Sequence, residues 1–240
     1  MQQLDILEIV KTQSIEYYQQ INDWIHGLGH VELVVKNARK LAKLENFSPK
    51  DQMLLEMSAW LHDVGRVKEV NKGLDFKKSN HAEESYIIAK KMLAKFERKL
   101  GRENVVNILL AVREHSLPTL KHPHNKIARL LQDADRTARF GYLGIFAILT
   151  YFKVFDFGEI KNETMAKEYL DKARLEILKK PDSIDFAIEK LNILLDWYYG
   201  NTNQGNKGIK VDPLHSESAR LYFKTQIVKI EKFIEQLKLA

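Results

Sequence analysis

The sequence has no cysteine among its 240 residues, and it contains only 11 glycines and 5 prolines. The absence of cysteine excludes disulfide frameworks, iron–sulfur clusters, thiolate zinc sites and cysteine nucleophiles. The scarcity of glycine and proline disfavours a β-sandwich, which needs many turn residues. The sequence shows no signal peptide and no apolar run long enough to span a bilayer. We therefore expect a soluble, cytoplasmic protein that does not associate with membranes.

The composition is that of a folded globular protein, with 45% hydrophobic and 29% charged residues. Lysine and arginine number 38 against 32 acidic residues, which gives a net charge of +6. This mild excess suits an anionic ligand such as a phosphate ester. The basic residues are spread over amphipathic segments instead of forming one tract, so we do not expect dedicated nucleic-acid binding.

Apolar residues recur at the helical period along nearly the whole chain, beginning with a stripe from Val31 to Ala42. Ser48 before Pro49 and Asn80 before His81 are typical helix starts. Further helices are predicted at about 49–63, 80–100, 103–114, 126–139, 141–155, 163–180, 183–199 and 213–239.

The fold class that these patterns predict is all-α. We expect a helical core in residues 1–158 and a C-terminal helical extension packed on it in residues 159–240. Polar stretches at 65–79, 116–124 and 200–211 are predicted as loops, and the last of them is a candidate linker.

The dipeptide His62-Asp63 stands out because it follows a run of apolar residues at the end of a predicted helix. An aspartate is rarely buried unless it is paired or bound to a metal. Histidine together with a carboxylate is a ligand mixture that suits a borderline divalent metal. Other histidines and aspartates that could join this pair are His30, His81, His115, Asp133 and Asp135.

Asp135 is a candidate ligand because it shares a helix face with Leu131 and Ala138. That face is directed to the core, where a carboxylate without a cation is costly. Asp133 remains the alternative ligand, and otherwise it would support the site or cap its own helix.

This constellation resembles the HD-domain superfamily of metal-dependent phosphohydrolases, in which a His, a His-Asp pair and a distant Asp lie on converging helices. His30, His62, Asp63 and Asp135 match that pattern in order. The segment QDADRTARFGYLGI, at 132–145, is similar to a QDADRLDALGAIG-like motif of bacterial HD hydrolases and departs from it at 137–140. The resemblance implies an HD-domain helical bundle.

The resemblance also implies a mechanism in which these four residues hold a divalent metal ion whose bound water attacks phosphorus. Two histidines and two aspartates favour Mn, Fe, Co, Ni or Zn over Mg. Arg66, Lys68 and Arg136 are then the expected phosphate clamps, Glu69 the expected general base or water-orienting group, and His81 and His115 possible second-metal or substrate residues. The implied substrate is a small phosphorylated metabolite. A nucleotide is favoured, such as a nucleoside triphosphate or a related phosphoester. A homodimer is compatible with the sequence.

Two other functions remain open at this point. A di-iron oxygenase of the HD fold could use all six of the histidines and aspartates His30, His62, Asp63, His81, His115 and Asp135, but the basic stretch after the His-Asp pair favours phosphate chemistry. A regulatory module could bind a nucleotide without turnover, but the complete ligand set argues for catalysis. The aromatic residues between 140 and 155 are expected in the core, where one or two could stack on a base.

Overall fold

The computed structural model describes residues 3–21, 24–72, 80–116, 123–155, 158–200 and 214–239. These described residues form helices and no strand, so the all-α prediction is confirmed. None of the described helices is both long and apolar enough to cross a membrane. In chain order, the α-helices are α1 (Gln3–Tyr18), α2 (Leu28–Leu44), α3 (Pro49–Leu61), α4 (Val67–Lys72), α5 (His81–Ala94), α6 (Glu97–Leu100), α7 (Arg102–Glu114), α8 (Lys126–Thr137), α9 (Gly141–Tyr151), α10 (Glu163–Leu178), α11 (Ile184–Tyr199) and α12 (Glu217–Lys238).

The chain divides into two compact units, Met1–Asp135 and Arg136–Ala240. In the first unit α3 is the central helix, since α1, α2 and α7 all pack against it. Every residue of α3 from Met53 to Leu61 is buried. The helix starts where the sequence predicts, because the Ser48 hydroxyl accepts a hydrogen bond from the Asp51 amide. A core helix therefore leads directly into the His-Asp dipeptide.

The second unit is built around α9, which packs against α10, α11 and α12. The amides of Tyr142 and Leu143 at the start of α9 donate to the carboxylate of Glu163 at 3.1 and 2.9 Å. Because α9 packs with these later helices, the division between units falls before it, whereas the sequence-based domain boundary at 158 lies after it.

The predicted loop at 65–79 is wrong for the part that the structure describes. Residues Val64–Arg66 form a 3-10 turn that packs on α5, and α4 follows directly. Val64 and Val67 are buried, so packing overrides the polar composition of this stretch. Residues 73–79 lie outside the described ranges, as do 117–122 and 201–213 of the other two predicted loops.

The predicted helix at 80–100 is interrupted near its end. Asn80 caps α5 as expected, with its side chain accepting from the Glu83 amide. The helix ends at Ala94, and the short α6 follows after the buried Phe96. Gly101, with φ of +85°, then turns the chain into α7 in the conformation that glycine adopts most readily.

Candidate metal centre

Two histidines of the site stand at the ends of helices, where the last backbone carbonyls lack helical donors. His62 follows α3, and its Nδ1 donates to the Ala59 carbonyl at 2.7 Å. His115 follows α7, and its Nδ1 donates to the Val112 carbonyl at the same distance. Because a carbonyl only accepts, Nδ1 carries the proton in both rings, and Nε2 keeps its lone pair when the ring is neutral.

These imidazoles meet carboxylates from other elements. Nε2 of His115 lies 3.2 Å from Asp63 Oδ1, and Nε2 of His62 lies 3.6 Å from Asp63 Oδ2. Nε2 of His30, on α2, lies 3.1 Å from Asp135 Oδ1, on α8. The helices of the first unit thus bring all four of the sequence-predicted metal ligands together.

Three overlapping triads in this cluster place their ligand atoms within 4.8 Å of one another. Asp135, and not Asp133, takes part in these triads of described residues. Asp133 is fully buried two residues earlier on α8. The triads are His30–His62–Asp63, His62–His115–Asp135 and Asp63–His81–His115.

The donor set fits a divalent cation. His62 Nε2 is buried and makes no hydrogen bond within the part of the chain that the structure describes. Its lone pair and the carboxylate oxygens around it repel one another unless a proton or a metal ion lies between them. Imidazole nitrogen combined with carboxylate oxygen is a donor set that borderline metals such as Mn, Fe, Co, Ni and Zn accept.

The protonation tendencies of the histidines show where positive charge is favoured. Burial lowers the pKa of His62 to about 4, which leaves its ring neutral and able to bind a metal at neutral pH. Burial also acts to lower the pKa of His115, but the Asp63 carboxylate beside Nε2 raises it overall. The Asp63 carboxylate therefore stabilises positive charge on the His115 ring.

Arg66 supplies positive charge to the other side of Asp63. Its Nε donates to Asp63 Oδ2 at 2.7 Å, its Nη1 to Glu69 Oε2 at 3.3 Å and its Nη2 to His81 Nε2 at 3.2 Å. Burial would raise the pKa of Asp63, but the Arg66 guanidinium and the neighbouring imidazoles hold it well below its usual range. Asp63 is therefore a carboxylate anion that contacts both the Arg66 guanidinium and the imidazoles of the cluster.

The other sequence-predicted helpers differ in their placement. Glu69 is buried beside Arg66, and burial raises its pKa to about 7. Lys68 is directed to α5, where its ammonium pairs with Glu84. Arg136 is half-buried near the end of α8 and begins the second unit. The structure therefore brings Arg66 and Glu69 to the cluster and directs Lys68 to Glu84.

Gly65 allows the turn after the His-Asp pair to approach α5 closely. A Cβ atom at this position would lie 2.4 Å from the Ser85 amide nitrogen and 2.6 Å from the His81 carbonyl oxygen. The Gly65 amide donates to the Ser85 hydroxyl at 2.9 Å. This contact places His81 Nε2 at 3.6 Å from Asp63 Oδ1, which is how His81 joins the cluster.

Tyr18 is a functional candidate that the sequence analysis missed. Its buried hydroxyl donates to the Trp60 carbonyl at 3.0 Å and accepts from the Asp63 amide at 3.2 Å. It thereby satisfies the end of α3 and fixes the backbone of the His-Asp pair. Tyr18 lies 45 residues before Asp63, and no local pattern marks it.

A second supporting contact joins α7 to α8. Gln132 Nε2 donates to the Glu114 carbonyl at 2.6 Å, and the buried Glu114 carboxylate accepts from the His124 amide at 2.9 Å. These bonds fix the end of α7 that carries His115 relative to the helix that carries Asp135. The His124 side chain is itself largely exposed.

Residues 27–139, which contain all of these ligands, match the HD-domain family. The search of curated proteins gives no significant match.

Solved structures of a Bacillus subtilis protein and a Lactobacillus plantarum protein share the fold over nearly the full chain. Bacillus subtilis YpgQ, solved in complex with ADP, is 16% identical with a TM-score of 0.54, covering 99% of this chain and 96% of its own. A Lactobacillus plantarum protein is 19% identical with a TM-score of 0.55, covering 98% and 96%. A protein described as a predicted HD superfamily hydrolase, from an uncultured Thermotogales bacterium, is 26% identical with a TM-score of 0.47, covering 73% and 88%.

Proposed function

We propose that the HD domain is a metal-dependent phosphohydrolase whose divalent cation is held by His30, His62, Asp63 and Asp135. One observation carries this proposal. Imidazole Nε2 atoms and carboxylate oxygens face one another in a buried cluster, at distances such as 3.1 Å between His30 and Asp135. A cation among them offsets the electrostatic cost of burying these groups.

A divalent cation bound there supplies a nucleophile by lowering the pKa of water, and it stabilises charge on phosphoryl oxygens. The nitrogen donors of His30 and His62 favour Mn, Fe, Co, Ni or Zn over Mg, which prefers oxygen ligands. Activity removed by chelation is expected to return with Mn or Co at low concentration. Restoration by Mg alone at the same concentration would argue against this ligand set.

The residues of the chain that would act on the phosphate lie beside the cluster. Arg66 uses three of its guanidinium nitrogens on Asp63, Glu69 and His81, and an arginine carries five N–H groups in all. We propose that the remaining N–H groups donate to phosphoryl oxygens, which arginine binds well. Glu69 is buried beside Arg66, and it would orient a water or exchange a proton with it. Arg136 stays a second clamp predicted from the sequence.

We further propose that the substrate is a nucleotide, such as a nucleoside triphosphate that is cleaved to pyrophosphate or phosphate. The net charge of +6 favours polyanionic ligands. The B. subtilis structure of the same fold was solved in complex with ADP, which makes adenine nucleotides the first compounds to test.

A di-iron oxygenase is the second candidate, because the triad Asp63–His81–His115 could hold a second metal. The guanidinium of Arg66 argues for the phosphohydrolase. It donates to Asp63 and to His81 Nε2, the ring nitrogen that lies 3.6 Å from Asp63 Oδ1. A positive charge at that position favours a phosphate over a second cation.

The experiment is metal analysis of the purified chain, combined with a screen for phosphate and pyrophosphate release from nucleotides. Asp135→Asn and Asp133→Asn form a matched pair, since both replace a carboxylate on α8 and only Asp135 lies in the cluster. We expect Asp135→Asn to lose metal and hydrolysis, and Asp133→Asn to keep its metal. The reverse outcome would move the site to Asp133. A wild-type chain that holds metal but releases neither phosphate nor pyrophosphate would refute the phosphohydrolase.

A further inference from the structure

A cavity of about 260 Å³ lies in the second unit, lined by residues of α9 and α11. Tyr151, at the end of α9, and Phe152, which follows it, contribute aromatic rings, and Trp197 contributes a third from α11. Ile193 adds an aliphatic wall. The metal-centre residues do not take part in this cavity, and the proposed hydrolysis gives it no role.

The polar side of the cavity is Arg139. Within the part of the chain that the structure describes, its guanidinium makes no hydrogen bond and no ion pair. Lys190 differs from Arg139 because its charge is paired. Its ammonium bonds to Glu189 Oε1 at 2.5 Å and lies 5.0 Å from the centre of the Phe152 ring. No carboxylate lines the cavity among the described residues, so the charge of Arg139 is uncompensated there.

The backbone of Arg139 is held in place by the start of α9. A Cβ atom on Gly144 would lie 1.7 Å from the Arg139 carbonyl oxygen, so the first turn of α9 packs directly on that peptide. Any larger residue at position 144 would displace it. The close contact fixes the position from which the Arg139 side chain reaches the cavity.

We propose that this cavity is a binding site for an aromatic anion, a one- or two-ring compound that carries a carboxylate or a comparable acidic group. The aromatic residues offer faces and edges against which a planar ring packs. Arg139 offers paired N–H donors to the acidic group. A cavity of about 150 Å³ is enough for benzene, so 260 Å³ gives room for a fused two-ring compound. This site does not depend on the phosphohydrolase proposal.

The test is isothermal titration of the full chain with 2-naphthoate and with its uncharged analogue 2-naphthamide, in the presence of EDTA. We expect saturable binding of one naphthoate per chain. The amide should bind about 10-fold or more weakly, because it lacks the charge that strengthens a hydrogen bond to arginine. Absence of saturable naphthoate binding up to millimolar concentration, or equal binding of the two compounds, overturns the proposal.

Variants then locate the bound compound. Arg139→Gln should weaken naphthoate about 10-fold or more and leave the amide unchanged, whereas Arg129→Gln, at an exposed arginine outside the cavity, should change neither. Ala147→Phe fills the cavity and should abolish binding of both compounds. If circular dichroism shows that this variant has lost its helices, Trp197→Leu decides in its place, with weaker binding of both compounds expected.

An alternative location is the metal centre itself, where a carboxylate could also bind. The Asp63→Asn variant separates the two locations. Naphthoate affinity that is unchanged in Asp63→Asn and reduced in Arg139→Gln supports the cavity. Affinity that is changed in Asp63→Asn and unaffected by Arg139→Gln overturns it.

Discussion

The two sides of the buried cluster differ in what balances their negative charge. On one side His30 Nε2 faces Asp135 at 3.1 Å, and the groups that meet are imidazoles and carboxylates. On the other side the guanidinium of Arg66 donates to Asp63 and to His81. Both sides bury carboxylates, and a buried carboxylate needs a cation. The protein itself provides that cation on the Arg66 side, and we propose that a metal ion provides it on the His30 side.

The largest effect that this comparison predicts separates His30 from His81. His30→Ala removes a metal ligand. Removing a residue that only hydrogen-bonds to a ligand lowers metal affinity by roughly 10- to 100-fold, so the loss in His30→Ala should be larger. Hydrolysis should disappear with the metal. His81→Ala should keep one metal per chain, since its Nε2 is engaged by Arg66. Plasma mass spectrometry after dialysis measures both.

Two outcomes would contradict this distinction between the sides. Equal metal loss in both variants would mean that His81 is a ligand of the same importance as His30. Two metals per wild-type chain, reduced to one in His81→Ala, would show that Arg66 gives way to a second cation and would favour a binuclear centre.

The next prediction concerns Arg66. Arg66→Gln should keep the metal but reduce kcat/KM for nucleotides by about 10- to 150-fold, as expected when a hydrogen bond to a charged group worth about 1.5–3 kcal/mol is lost. Arg113→Gln is the matched control, because Arg113 pairs with Glu83 and not with a residue of the cluster. Loss of metal from Arg66→Gln would show that Arg66 acts by holding Asp63 and not by binding phosphate.

Tyr18 tests how much the backbone of the His-Asp pair depends on a distant residue. Tyr18→Phe leaves the Trp60 carbonyl and the Asp63 amide without their hydroxyl partner. The free energy of unfolding should fall by about 1–3 kcal/mol, the cost of an unsatisfied buried polar group. Tyr17→Phe, at a half-buried neighbour, should have little effect. Urea denaturation of the metal-free chains measures both, and equal stability of the two variants would contradict the role of the Tyr18 hydroxyl.

The sequence predicted those parts of the site that depend on local pattern. The His62-Asp63 pair stands out in the sequence because it follows an apolar helix, and the helical class follows from the apolar period. Both features are encoded within a few turns of each residue, so a single sequence reveals them. The order of His30, His62, Asp63 and Asp135 is recognised by its resemblance to the HD family, and His115 is named only as a possible second-metal or substrate residue.

The remainder depends on contacts between distant segments. Nothing near Tyr18 indicates that its hydroxyl meets Asp63. The stretch after Asp63 is polar in sequence, yet the burial of Val64 and Val67 against α5 makes it helical. Because α9 packs with the helices that follow it, α9 belongs to the unit that begins at Arg136. Composition alone does not specify any of these packing partners.

Replacing Lys68 gives the smallest predicted effect on kcat/KM. Lys68 is close to the His-Asp pair in sequence, but its side chain is directed to another residue. Like Arg66, it follows the His-Asp pair closely, and the family resemblance implies the same role for both. Its ammonium, however, pairs with the Glu84 carboxylate. The Lys68 side chain is 39% exposed and the Glu84 side chain is 34% exposed. Such pairs contribute about 0–1 kcal/mol, so Lys68→Ala should keep its metal and change kcat/KM by no more than about 5-fold. A loss comparable to that of Arg66→Gln would show that Lys68 leaves Glu84 to bind the substrate, and the charge on the second side of the cluster would then come from two residues instead of one.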